Sequence, residues 1–160
     1  MSSPGFVVEV SVEAPAQAVW DGLVDWERQG EWVMGTRVRP LTQGGRGVGA
    51  LVEAVTGIGP VGVRDVYRIE QWDPPRRCAV RHLRRPVRGP AAFEVVPEGP
   101  ASSRIVWWEA LEPQFGPLGR RAWPAVERVL ARGFRHSLRT FARQVAVRHP
   151  PGATELGGAR

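Results

Sequence analysis

Lysine is missing from this 160-residue chain, so the formal net charge of +6 rests on arginine alone, 22 of them against 16 acidic residues. Arginine pairs bidentately with carboxylate and phosphate, which makes a nucleic-acid or anionic-membrane footprint worth testing. No DNA- or RNA-binding motif accompanies the charge, and aromatics are not interleaved with the arginines, so no nucleic-acid partner is expected. Cysteine is nearly missing too. Cys78 stands alone, which excludes an intrachain disulfide and a cysteine-built metal site. The three histidines, His82, His136 and His149, are scattered, and zinc wants three or four convergent ligands, so neither a metal nor any other cofactor is expected. No apolar run is long enough to cross a bilayer, and stable membrane insertion is not expected. Met1 to Gly5 carries no basic region leading into an apolar stretch, so the expected location is the cytoplasm. No G-x-S-x-G occurs, and no Ser/His/Asp nucleophile arrangement is legible.

What is present is ordinary globular material. A hydrophobic fraction of 42% with 24% charged residues argues against a disordered chain. The length suits one domain, read as residues 1–148 with a flexible tail over 149–160.

Phe6, Val8, Val10 and Val12 alternate with polar residues as in a half-buried strand. Ala14-Pro15 then opens a short helix carrying Val19, Trp20, Leu23 and Val24, and a second short helix or turn spans Glu27 to Trp32. Strands follow over Thr36–Thr42, Val48–Gly57, Val61–Trp72, Arg77–Leu83, Val87–Val96 and Ser103–Glu112. Glycine and proline punctuate them as in an antiparallel meander. Gly44-Gly45-Arg46-Gly47 lacks the lysine and following helix of a phosphate loop and reads as a turn. Gly57-Ile58-Gly59-Pro60 reads as another.

The last element is an amphipathic helix. Trp123, Val126, Leu130, Phe134, Leu138, Phe141 and Val145 share one face, and Arg121, Arg128, Arg132, Arg135, Arg139 and Arg143 the other. Pro124 is expected near its start, and Trp123 in the core. Only this helix is large enough to cover the apolar face of the sheet. The predicted fold is α+β: a curved antiparallel sheet of about seven strands, two short helices and the long C-terminal helix.

That order, together with Val12-Glu13-Ala14-Pro15-Ala16-Gln17-Ala18-Val19-Trp20, Asp25-Trp26-Glu27-Arg28-Gln29-Gly30-Glu31-Trp32, Trp72-Asp73-Pro74-Pro75-Arg76-Arg77 and Ser103-Arg104-Ile105-Val106-Trp107-Trp108-Glu109, resembles the START-like (SRPBCC) superfamily. This helix-grip group includes the birch-pollen-allergen fold and the polyketide cyclase/dehydrase families. The resemblance runs from about Val7 to Ala146. It implies a cavity between sheet and helix for an apolar small molecule, while leaving the chemistry open, because one fold hosts many functions. The Cys/His iron pattern of the hydroxylase branch is absent, and no cyclase motif carries over residue by residue.

Such a cavity is mainly apolar, with a few polar groups that orient the ligand. Alternation groups Leu51, Glu53 and Val55; Val63, Asp65, Tyr67 and Ile69; and Ile105, Trp107, Glu109 and Leu111 as inward faces. Glu127, Leu130 and Phe134 join them from the helix. The expected ligand-binding set is therefore Leu51, Glu53, Val63, Asp65, Tyr67, Trp107, Glu109, Glu127, Leu130 and Phe134. A carboxyl group buried there has a raised pKa and a histidine titrates near neutrality, so His82, Asp65, Tyr67 and Glu109 are the candidate catalytic groups. The competing reading pairs these acids with arginines such as Arg64 or Arg81, or places them on the outer face. The expected function is binding of an apolar or aromatic, lipid- or polyketide-like molecule. The alternative is a cyclase or dehydratase using acid–base chemistry in the same cavity, and a third reading is nucleic-acid or membrane-surface contact through the arginine face. Nothing in the pattern fixes an oligomeric state.

Overall fold

Alternation at the start of the chain becomes strand β1, Phe6–Val12, buried and exposed in strict turn. The computed structural model describes residues 5–58, 60–113 and 116–150. Helix α1, Ala16–Leu23, follows, with a 3-10 helix over Trp26–Glu31. The meander consists of β2, Thr36–Pro40; β3, Leu51–Ile58; β4, Val61–Asp73; β5, Arg77–Arg84; β6, Val87–Gly99; and β7, Ser102–Glu109. Helix α2, Gly116–Arg148, completes the α+β helix-grip fold.

The seven strands form one sheet in the order β1-β7-β6-β5-β4-β3-β2, each neighbour antiparallel. Register shifts at Ile69/Gln71 on β4 and Pro97/Gly99 on β6 interrupt the two longest strands. Irregularities of this kind bend a strand and raise its twist, which helps curl the sheet. Ser103 Oγ donates to the Ala14 carbonyl at 2.8 Å, fastening the β1–α1 turn onto β7. The core lies between the concave face and the helices. An aromatic series threads it: Trp72, Trp20, Phe93, Trp107, Phe134 and Phe6, with successive ring centroids 5.2 to 5.6 Å apart.

Helix α2 departs from expectation in its first half. The predicted apolar stripe is buried only from Ser137 onward, at Ser137, Leu138, Phe141, Ala142 and Val145. Leu130 and Phe134 are half-buried against the core. Trp123 is not a core residue. It is half-buried, and its indole N–H donates to Glu127 Oε1 at 3.0 Å. Pro124 is not in the first turn, because the helix begins eight residues earlier at Gly116-Pro117. Pro117 fits such a beginning, since proline suits the first helical positions. His149 still bonds back to the Val145 carbonyl, and the expected tail from 151 on lies outside the described residues.

Arg132, Arg135 and Arg139 are exposed. Replacing all three by Gln is expected to change stability by less than about 0.5 kcal/mol per site in chemical denaturation, as for surface positions generally. The same variant tests the third functional reading: tight, salt-sensitive binding to DNA, RNA or anionic vesicles that vanishes on substitution would establish it.

Candidate functional site

A partly open pocket of about 140 Å³ lies on the concave face of the sheet, with Phe134 of α2 at its border. Its walls are largely apolar and aromatic, with Trp26, Val38, Ala54, Val80, Phe93, Trp107 and Phe134 among them. Period-two alternation brings Asp65 and Tyr67 of β4 into it, His82 of β5, and Trp107 and Glu109 of β7. Among the described residues, no arginine lines it.

The sequence-expected set therefore divides. Asp65, Tyr67, His82, Trp107, Glu109 and Phe134 meet in the pocket. Leu51 and Glu53 do not, because β3 turns Val52 into the core and Ala54 and Thr56 toward the pocket, one residue out of the expected register. A one-residue shift moves every side chain to the opposite face. Glu53 is buried on the outer face, where Arg39 donates to its carboxylate at 2.8 Å and Arg64 donates to its other oxygen. Those two hydrogen bonds, against the opposing effect of burial, hold its pKa below the usual carboxylate range. The arginine pairing weighed from sequence thus applies to this acid. Val63 shares the face of Asp65 but stands 41% exposed toward the β3–β4 turn, beyond the lining. Glu127 is engaged with Trp123 and also outside the lining. Leu130 packs on the core beside the pocket without lining it.

His82 is held by Asp65, Nδ1 to Oδ2 at 2.6 Å. The two sit diagonally on adjacent strands, since Tyr67 is the direct cross-strand neighbour of His82. Burial alone would lower the His82 pKa. The hydrogen bond and charge of Asp65, with the charge of Glu109, outweigh it and raise the pKa above its ordinary value. Glu109 is 4% exposed and accepts the Trp107 indole N–H at 3.0 Å. Burial raises its pKa against the lowering effects of His82 and Trp107. Burial also pushes Tyr67 well above its usual value and Cys78 up to about 12, so neither ionises near neutrality. Two polar atoms of this group are buried without a hydrogen-bond partner among the described residues: Asp65 Oδ1 and His82 Nε2. Unpaired buried polar atoms are costly and uncommon, which marks this corner of the pocket.

Two glycines allow close packing beside the site. Gly89 lies across from His82 with φ +134°, and a Cβ there would come within 2.4 Å of the Ala110 carbonyl. Gly45, with φ +69°, accepts the Trp26 indole N–H at 2.8 Å, and a Cβ on it would collide with that ring. The 43–45 turn thus seats one pocket wall, a role that its glycine-rich sequence did not signal. Gln29 was also not anticipated. Buried in the wall, it donates to the Leu23 carbonyl at 2.9 Å. Among the described residues no group of three or more His, Cys, Asp or Glu is arranged to hold a metal ion, and no helix is long and apolar enough to cross a membrane.

A family profile described as polyketide cyclase / dehydrase and lipid transport matches residues 4–146. No curated protein sequence matches the chain. Among solved structures, a protein from Thermus thermophilus superposes with a TM-score of 0.76 at 18% identity, over 91% of this chain and 99% of that one. The Zhui aromatase/cyclase from a Streptomyces species gives 0.75 at 19% identity, over 91% and 94%. A START superfamily protein from Mycobacterium smegmatis gives 0.73 at 16%, over 89% and 97%. Likeness at these identities establishes the fold.

Proposed function

Because this chain belongs to the polyketide cyclase / dehydrase and lipid transport family, we propose that it binds an apolar or aromatic small molecule between sheet and α2, with the ligand's polar end at Asp65, His82 and Glu109. The observation that carries the reading is the unpaired Asp65 Oδ1 and His82 Nε2 in a largely apolar wall. Ligand polar groups that reach either atom remove a penalty the free protein bears. The volume of about 140 Å³ is close to that of engineered cavities that take up benzene. A lipid- or polyketide-like molecule would seat one ring or its terminal carbons there and leave the remainder toward the mouth. The proposal includes a cytoplasmic location and no nucleic-acid partner.

One observation favours a second reading, acid–base catalysis in the same pocket. Asp65 orients the His82 ring, as a general base requires, and Glu109 is held toward its protonated form, as a general acid requires. Fluorescent-probe binding separates the two readings. For a carrier, Glu109→Gln and His82→Ala should bind an apolar probe within about tenfold of the parent, the loss of one hydrogen bond. For an enzyme, incubation with linear polyketide mimics should yield cyclised or dehydrated products by mass spectrometry, and either substitution should lower turnover about a hundredfold or more. Absence of probe binding by the parent protein would overturn both.

A further inference from the structure

We propose that the end of the sheet nearest Asp65 and His82 docks on the surface of an anionic lipid bilayer, from which the ligand enters the pocket. The docking surface stands on its own observations. The route of the ligand rests on the binding function proposed above.

Register brings several segments to that end. The β3–β4 turn lies beyond the Ile58–Val61 pair, and the β5–β6 turn beyond the Arg84–Val87 pair. Past Glu109, Ala110 and Glu112 still donate to the carbonyls of Pro90 and Arg88, so the chain leaves the sheet beside the β5–β6 turn before entering α2. Phe134 packs on Phe6, the first residue of β1, with ring centroids 5.6 Å apart. The α2 residues before Phe134 therefore extend past the same end. Met34 arrives there too, since its neighbour Gly35 accepts the Gly57 N–H at 2.9 Å.

Two properties coincide at this end. Met34, Ile58, Val61 and Leu118 are between 78% and 90% exposed, and apolar side chains displayed together mark an interaction surface. With them stand Arg37, Arg84, Arg85, Arg120 and Arg121, all exposed and none in an ion pair among the described residues. The acids near them are engaged: Glu112 with Arg88, Glu127 with Trp123, and Asp65 and Glu109 in the pocket. At the opposite end of the sheet, Arg76 is paired with Asp73 and Arg104 with Glu98. Unpaired cations among apolar tips fit negative headgroups above hydrocarbon, where the charges attract and the apolar groups enter the interface. A nucleic acid would engage the arginines and leave Ile58 and Val61 in water. The contact is peripheral. The pocket gives it a use, because Val63, next to Asp65 on the inward face of β4, is already 41% exposed toward this end. An apolar guest passing from the bilayer at this point avoids a transfer through water.

Co-sedimentation of the full chain with vesicles tests this, using phosphatidylcholine alone and phosphatidylcholine with roughly 30 mol% phosphatidylglycerol. The expected result is binding to the anionic vesicles about tenfold tighter or more than to the neutral ones, weakened by salt. Arg84→Gln with Arg85→Gln should lower it about tenfold or more, since each cation near such a surface counts for about fivefold. Ile58→Ser with Val61→Ser should lower it about tenfold through lost apolar contact. These positions are exposed, so the denaturation midpoint and the binding of an apolar probe in the pocket should not change. Arg132→Gln with Arg135→Gln and Arg139→Gln should leave vesicle binding within about threefold of the parent, because their distance from this end screens them. A parent protein that ignores anionic vesicles, or binds neutral ones equally, overturns the docking surface. Loss confined to the Arg132, Arg135 and Arg139 variant overturns it as well, and so does tighter binding to duplex DNA or RNA than to the vesicles. Any of these results with probe binding intact leaves the apolar-ligand function standing. Vesicle docking by a protein that takes up no probe overturns that function and the route of the ligand, and supports the surface alone.

Discussion

Phe141→Ala is expected to destabilise the protein by about 3–5 kcal/mol in chemical denaturation, the usual cost of emptying a buried aromatic site. Phe141 is 2% exposed and its ring lies 5.0 Å from that of Trp32. It also packs on Gly22 of α1, where an added Cβ would stand 2.9 Å from the phenyl edge. A truncated side chain leaves a void that helix α1 cannot readily fill, since Ser103, whose hydroxyl holds the Ala14 carbonyl, pins its entry. Phe134→Ala should cost roughly half as much. Its ring stacks at 5.4 Å on Trp107, but it is half-buried and borders the pocket, so its removal enlarges a space that already exists. A loss below about 1 kcal/mol for Phe141→Ala would show that the end of α2 is not docked as described.

The contrast between these two phenylalanines also indicates what a linear sequence conveys. Both lie on the same helical stripe, and periodicity alone ranks them equally. Helical spacing reveals which face is apolar, but not how far along that face the sheet extends. The body beneath α2 is chiefly β1 at one edge of the sheet, and the stripe outruns it, leaving Val126 exposed.

Strands behave similarly. On β7, bulky Ile105 and Trp107 mark the inward face, and Glu109 follows them correctly in register. On β3 the larger residues mislead. Leu51 and Val55 point outward, while Val52, Ala54 and Thr56 face inward, because small side chains on a pocket wall leave the space the pocket occupies. Bulk is a guide to the face that fills a core, and a poor guide to the face that surrounds a void. The pairing of His82 with Asp65 was illegible for another reason. In the sequence neither His82 nor Glu109 has a partner at a spacing that would fix its orientation, which is a ground for preferring a carrier. The partner of His82 comes from the neighbouring strand, 17 residues away, through a register that local pattern does not specify. That ground for preferring a carrier is removed.

Stability should fall as pH rises above about 5, and Glu109→Gln should reduce the fall. Glu109 has a pKa above its ordinary 4.5 in the folded protein, first because of burial. The folded state therefore holds this proton more tightly than the unfolded chain. The resulting stabilisation is fully present below 4.5 and is lost as pH rises through the folded-state value. His82 acts in the same direction. Its folded pKa lies above 6.5, so its contribution is complete below that pH and is lost above its own folded value. Each proton adds a slope of at most about 1.4 kcal/mol per pH unit within its window. Tyr67 and Cys78, whose ordinary values are 10.0 and 9.0, do not contribute below about pH 8. Glu53 has the opposite sign. Its pKa is lowered by Arg39 and Arg64, so its stabilisation is present above 4.5 and is lost only as pH falls through its folded value. The profile is then a dome with its maximum near pH 5. Urea denaturation at unit intervals from pH 4 to 9 measures it. In Glu109→Gln the proton that Glu109 sheds is gone, and the alkaline limb should flatten to the part left by His82. A parent profile that is level or rising between pH 5 and 8 would mean that these two groups do not hold their protons in the folded state.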